Sequence, residues 1–289
     1  NRFSAIDNED NVGISLFTEF KDTRVIGKDK KWQFKSLLNL ESSEADFKAL
    51  NPYRNAEFNR DWSFDLDQEI RSQKLYNARF ELGNLTNKLS YNLSGFNNGD
   101  LYTGQRHLAN YQYTGEKWRI NLAGNWMNSE SLSTNEKIRF NRPRVDIERI
   151  LFAQKWKLGF NYEKEENIRQ DIESDSLSQL SINYNQYRIY AETPDNEKFK
   201  IKAAYLTRLD DRVEENVMTP VTVSHDFELG GYIKDSKISD LSWQLVFRDF
   251  QVVLEGTDKF KPAKSFIGNV DHKLKLLKTG LNIQSYFES

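Results

Sequence analysis

Apolar and polar residues alternate along this chain with a period of two. In the stretch EKWRINLAGNW (116–126), every second residue from the first tryptophan is apolar or glycine. These positions are Trp118, Ile120, Leu122, Gly124 and Trp126. Successive side chains of a β-strand point to opposite sides of the sheet, whereas one face of a helix repeats every three to four residues. The stretch therefore predicts a strand with one apolar face.

The same alternation recurs along most of the chain, with turn-forming or charged segments between the alternating stretches. Further examples are residues 12–20, 62–70, 89–95 and 221–233. The last of these is long for a strand, because strands most often have about 5–6 residues. The pattern predicts an all-β protein built as an antiparallel up-and-down meander of long hairpins.

Similar strand openings recur at a nearly constant spacing. They lie at Trp32, Leu75, Trp118, Trp156, Phe199 and Trp243 and are 43, 43, 38, 43 and 44 residues apart. A repeat of about 40–45 residues is also typical of four-stranded propeller blades. Most of the units have room for only two long strands, so we interpret each as one hairpin. The unit 75–117 would hold an extra strand around residues 107–114.

The connections between strands are predicted to alternate in length. Short ones fall at 114–117, 153–155, 193–198 and 234–240, and long ones at 128–144, 163–176 and 208–220. Tight turns at one rim and longer loops at the other are typical of transmembrane β-barrels. Residues 41–62 fit no strand and predict a long loop with a short helix. A shift of the apolar positions within residues 180–191 predicts a bulge or a break.

In a barrel, aromatic residues would mark the depth of the lipid headgroups. The predicted membrane-interface aromatics are Trp32, Trp118, Trp126, Trp156, Phe199 and Trp243. The eight residues from Trp118 to Trp126 span roughly 26 Å at about 3.3 Å per residue. With a strand tilt of about 40°, this corresponds to roughly 20 Å of membrane depth. That length suits the apolar band of an outer-membrane barrel.

Composition removes several other classes of function. The formal net charge is −2, from 41 basic and 43 acidic residues, so no nucleic-acid partner is predicted. Cysteine is absent, which excludes disulfides, thiolate zinc sites and a cysteine nucleophile. No run of about 18 apolar residues predicts a transmembrane helix. Because the chain begins with Asn1, we expect a processed form or a portion of a longer protein.

Motifs of catalysis and metal binding are weak in this sequence. The three histidines, His107, His225 and His272, are far apart and have no metal-ligand spacing. Residues 7–13 begin like a calcium loop, but the glycine and the final acidic ligand are misplaced. The carboxylates in 65–69 lie on one strand face and offer no acid–base pair. We therefore predict no enzyme, no cofactor and no metal.

Two segments carry a resemblance to a group of bacterial proteins. NRFSAIDNEDNVG (1–13) and NPYRNAEFNRDW (51–62), followed by Asn-, Lys- and Tyr-rich alternating strands, resemble portions of large outer-membrane or surface β proteins of Bacteroidota. The resemblance covers about the first 60 residues and, more generally, the Asn-, Lys- and Tyr-rich composition of the alternating strands. It implies a location in the cell envelope and assigns no role to any residue.

Two hypotheses follow. The first is a single antiparallel domain over residues 1–289, forming a non-enzymatic outer-membrane β-barrel or a portion of one. Its function would be transport, secretion or structure, and its partners would be membrane lipid and other envelope proteins. The second is a soluble sandwich or curved sheet, at the cell surface or in the periplasm, that binds glycan or peptide through exposed aromatics. The 29% of charged residues and the mean hydropathy of −0.75 favour the second.

Overall fold

The chain is all-β in the residues that the structure describes. The computed structural model describes residues 2–8, 11–28, 31–44, 73–98, 101–151, 156–194, 196, 198–234, 239–253, 260–274 and 281–288. The strands in these ranges are β1 (Arg2–Asn8), β2 (Asn11–Ile26), β3 (Trp32–Ser43), β4 (Gln73–Gly83), β5 (Asn87–Asn98), β6 (Tyr102–Thr114), β7 (Trp118–Ser131), β8 (Glu136–Leu151), β9 (Trp156–Asp171), β10 (Ile182–Glu192), β11 (Phe199–Glu214), β12 (Val217–Lys234), β13 (Ser239–Val253), β14 (Phe260–Leu274) and β15 (Leu281–Glu288).

The order of the strands in the sheet follows their order in the chain. Neighbouring strands pair from β1 to β15, and the pairs whose register is defined are antiparallel. The predicted up-and-down meander is therefore confirmed. No helix in the described part of the chain is long and apolar enough to cross a membrane.

The chain divides into two compact units. The first comprises Asn1–Gln112, Leu122–Pro143 and Glu166–Ser181. The second comprises Tyr113–Asn121, Arg144–Glu165 and Ile182–Ser289. Strands β6 to β9 contribute residues to both units, and each unit is described separately below.

The predicted long loops are wrong. Strands β7 and β8 take up most of residues 128–144, and β9 continues to Asp171. Strands β11 and β12 take up residues 208–220 except for Glu215 and Asn216. These segments are rich in charge but remain extended, because their side chains pair laterally, as Arg169 does with Glu136 at 3.4 Å. A ten-residue connection does follow β9, at 172–181.

Turn chemistry explains how the strands reverse direction. Glu215 and Asn216 both have positive φ, 49° and 65°, as the central residues of a type I′ hairpin turn require. In the turn before β5, the Asn84 side-chain oxygen accepts hydrogen bonds from the backbone N–H groups of Thr86 and Asn87, at 2.9 and 2.7 Å. This is the local bond that makes asparagine a turn residue.

Other predictions about individual segments have mixed outcomes. The extra strand predicted around 107–114 is confirmed as part of β6. The bulge or break predicted within 180–191 is absent from the pairing of β10 with β11, which keeps one continuous register from Asn183 to Glu192. Residues 41–43 belong to β3 rather than to a loop. Residues 45–62, and the strand predicted at 62–70, lie outside the described residues.

A small hydrophobic core lies in the first unit. It contains Phe96, Tyr102, Met127 and Ile138, and Leu75 and Phe140 pack against it. Gly104 permits this packing, because a Cβ atom there would collide with the Phe96 ring. The core packs together side chains that extend from one side of neighbouring strands.

We expect Ile138→Ala to lower the free energy of unfolding by about 2–4 kcal/mol, because the side chain is fully buried and its removal leaves a cavity. Urea unfolding followed by tryptophan fluorescence would measure the loss. Ile182→Ala is the matched control, since Ile182 is exposed and its truncation should change stability by less than about 0.5 kcal/mol. Equal losses in the two variants would contradict this assignment of the core.

Candidate membrane-contact surface

Apolar residues form continuous rows across the strands of the second unit. The registers of β10 to β14 align Ile189, Tyr205, Phe227, Phe247 and Phe266 in one row. The next row contains Ala191, Ala203, Leu229, Leu245 and Gly268. Because directly opposite side chains project to the same side of a sheet, these two rows make one apolar face. We call this face the apolar face of the second unit.

The large side chains of the apolar face are exposed. Ile189, Phe227, Phe247 and Phe266 each keep between 36% and 55% of their surface accessible. Between the large residues, Ala191 and Ala203 leave a shallow apolar depression of about 630 Å³. No described segment of the second unit covers this face.

The opposite face of the same strands is polar, and its charges are paired. Asp226, which is only 4% exposed, accepts two hydrogen bonds from the Arg248 guanidinium, at 2.9 and 2.7 Å. Arg188 pairs with Glu228, and Lys200 pairs with Glu192 at 2.6 Å. These charged pairs therefore lie within the strands, on the side opposite the apolar face.

Strand β7 shows the same division. Leu122 is exposed, whereas Asn121 donates a hydrogen bond to Asp146 at 3.2 Å. Arg119 pairs with Glu148, also at 3.2 Å. The positions that the sequence predicts as apolar and polar therefore do point to opposite sides.

The apolar face of the first unit is less complete. Cross-strand pairs such as Phe80 with Tyr91 and Leu82 with Leu89 continue the alternation on β4 and β5. On β2, Asp22 and Arg24 share a side with Phe20 and form an ion pair at 2.6 Å. The apolar face is interrupted at this place.

Four of the six predicted interface aromatics lie at the start of a strand. Trp118, Trp156 and Phe199 open β7, β9 and β11 in the second unit, and Trp32 opens β3 in the first. All four are 37–40% exposed, and Trp126, further along β7, is 42% exposed. The Arg149 guanidinium lies 5.1 Å from the centre of the Trp118 ring, a cation–π geometry.

Trp243 departs from the prediction. It lies four residues inside β13 rather than at its start, and it is half-buried. Its ring occupies the space above Gly231, where an added Cβ would meet it at 2.7 Å. The recurrent spacing of strand openings predicts that Trp243 starts a strand. The structure differs because residues 239–242 already belong to β13.

Two histidines make contacts with tyrosines that the sequence did not predict. His225 lies next to the aromatic row, in a polar row with Thr207, Asp249 and Lys264. Its Nδ1 atom is 2.8 Å from the Tyr205 hydroxyl. His107 forms the equivalent contact with Tyr91, at 2.6 Å. Among the described residues, no group of three or more His, Asp or Glu side chains is placed to hold a metal.

Structural comparison finds similarity to outer-membrane proteins. The siderophore receptor PirA from Pseudomonas aeruginosa aligns with 96% of this chain, with 8% identity and a TM-score of 0.42. PirA from Acinetobacter baumannii aligns with 99%, at 9% identity and a TM-score of 0.40. Outer-membrane expressed OmpT of Vibrio cholerae aligns with 98%, at 10% identity and a TM-score of 0.38.

The alignments cover different shares of the proteins with which this chain is compared. They extend over 62% and 61% of the two PirA receptors and over 100% of OmpT. The chain thus spans less than two thirds of the length of either receptor. Comparison with protein-family models and with curated proteins finds no significant match.

We expect Asp226→Ala to lower the free energy of unfolding by about 1–3 kcal/mol, because it removes a buried acceptor of charged hydrogen bonds. Denaturant unfolding would measure the change. The control is Glu19→Ala, whose exposed pair with Lys21 should contribute about 0–1 kcal/mol. A larger loss at Glu19 than at Asp226 would show that burial of the carboxylate does not determine how much an ion pair contributes to stability.

Proposed function

We propose that the chain is a membrane-spanning β-barrel of an outer membrane, or a portion of one. The apolar face of the second unit contacts lipid, and the opposite face borders a polar interior. The observation that carries this proposal is the continuous row of exposed aromatic and aliphatic residues across β10 to β14, opposite a face of paired charges.

The physical cost of the exposed row favours lipid as its environment. Apolar surface in contact with water costs about 25 cal/mol per Å², and contiguous apolar patches beyond a few hundred Å² are rare on soluble monomers. Lipid removes this cost. It also demands that backbone groups be paired, and the strand pairing between neighbouring strands supplies those hydrogen bonds.

The high charge content is compatible with this proposal. Ion pairs such as Arg248 with Asp226 lie on the polar face, and β9 continues through the charged residues 163–171 beyond its last exposed apolar side chain, Phe160. Besides the turns, charged residues therefore occupy the polar face and the ends of strands beyond their exposed apolar side chains. The proposed role is non-enzymatic, in transport, secretion or structure, with lipid and other envelope proteins as partners.

A pair of arginine substitutions tests the environment of the apolar face. Leu229→Arg should block stable insertion into vesicles, because an arginine at mid-bilayer on the lipid face costs about 2–4 kcal/mol. Protease protection and heat-dependent gel mobility would measure the inserted fraction. Gln244→Arg, on the neighbouring strand and the polar face, is the matched control and should insert normally.

The same pair distinguishes the alternative of a soluble sheet that binds glycan or peptide. Leu229 is already exposed in the chain, so an arginine there would leave a soluble protein folded and monomeric in buffer. Folded monomer without detergent, for both variants, would overturn the membrane proposal.

Fluorescence quenching tests the depth of the aromatic residues. Variants that keep Trp118 or Trp156 as the only tryptophan should be quenched more by a shallow lipid-attached quencher than by one at the bilayer centre. An indole at headgroup depth satisfies both its apolar ring and its N–H group, so these two residues should lie there. Quenching of neither residue at any depth would contradict the interface assignment.

A further inference from the structure

The polar face of the first unit contains a pocket that the proposed function does not require. The pocket has a volume of about 380 Å³, within the range of about 300–1,000 Å³ found for small-molecule sites. Its polar lining includes the side chains of Asn39, Asn77, Asn92, Glu41 and Arg106. All of its lining residues belong to the first unit.

The strand registers place the amides side by side. Asn39 on β3 is directly opposite Asn77 on β4, and Asn77 is directly opposite Ser94 on β5. Asn92 lies on the same side of β5, opposite Arg79. A cluster of three amides on adjacent strands gives planar donor and acceptor groups at fixed spacing, held by backbone pairing rather than by a loop.

The three amide oxygens are buried and have no hydrogen-bond partner among the described residues. A buried polar group without a partner carries a free-energy penalty, which a hydroxyl group would relieve by donating a hydrogen bond. Rotation about χ2 turns either the oxygen or the nitrogen of an amide toward the pocket. The cluster can therefore match both the donor and the acceptor function of a hydroxyl.

The remaining lining limits the charge and the shape of a ligand. Glu41 and Arg106 carry opposite charges, so the lining has no net charge. Phe17, Leu75 and Leu108 add apolar surface beside the amides. Leu75 also packs against the hydrophobic core, which gives the pocket a rigid base. A ligand with many hydroxyls, no net charge and an apolar C–H face fits this combination.

We propose that this pocket binds a neutral saccharide. The amides hydrogen-bond neighbouring hydroxyl groups, Glu41 and Arg106 supply one acceptor and one set of donors, and the sugar ring lies against the apolar residues. The proposal concerns the polar face and holds whether lipid or water covers the apolar face.

Saturation-transfer difference NMR on the full chain tests the proposal, with maltose, sucrose and lactose as neutral probes. Glucuronate and glucosamine serve as charged probes. We expect transfer to at least one neutral disaccharide and weaker transfer to both charged sugars. Absence of transfer to all three neutral probes, or stronger transfer to a charged one, would overturn the proposal.

Substitutions then locate the site. Asn77→Leu and Asn92→Leu should each raise the Kd about tenfold, because each removes hydrogen bonds from the ligand. Asn110→Leu on β6, outside the pocket lining, is the control and should change the Kd less than twofold. Circular dichroism confirms that each variant is folded. An equal effect of the control and the pocket variants would show that binding occurs elsewhere.

Discussion

The cross-strand register is the constraint on which the other features of this protein depend. Each side chain of a strand lies on one side of the sheet, and a shift of one residue would exchange the two sides completely. In the second unit, a single register keeps Tyr205, Phe227 and Phe247 in one row and keeps Asp226 and Arg248 on the other side. The separation of apolar from charged residues is therefore a property of strand pairing.

Pairing of charges gives the polar face its own stability. Asp226 is nearly inaccessible, so its carboxylate depends on Arg248 for hydrogen bonds. The first unit also has a small hydrophobic core around Ile138, on the same side of the strands as its asparagine cluster. The polar side of the chain thus has two kinds of stabilising contact, and neither uses the exposed apolar residues. Those residues remain available for an external apolar medium.

Sequence periodicity predicted the fold class and the two faces of the strands well. The alternation around Leu122 and Leu229 is reproduced because burial of one side, by whatever medium, imposes a period of two. Strand ends were predicted less well. Charged segments such as 208–220 are predicted as loops, although ion pairs such as that of Arg208 with Asp210 let charged residues remain within a strand.

Turns and the polar pocket show a second limit of the sequence. The reversal at Glu215 and Asn216 needs positive φ at both residues, and only the asparagine signals this. The asparagines of the pocket, Asn39, Asn77 and Asn92, lie on three strands and are distant in sequence from one another. Their proximity follows from pairing of β3, β4 and β5, which the residue pattern of any one strand does not contain.

The two faces can serve separate purposes because a sheet isolates them. The backbone layer separates the amides of the pocket from the apolar side chains on the other side of the same strands, such as Phe80 on β4. Substitution on one side therefore changes contacts with one medium and leaves the other side intact. A strand can for this reason present a lipid-compatible surface and a polar recognition surface at once, and its length, 11 residues for β4, is enough for several side chains on each.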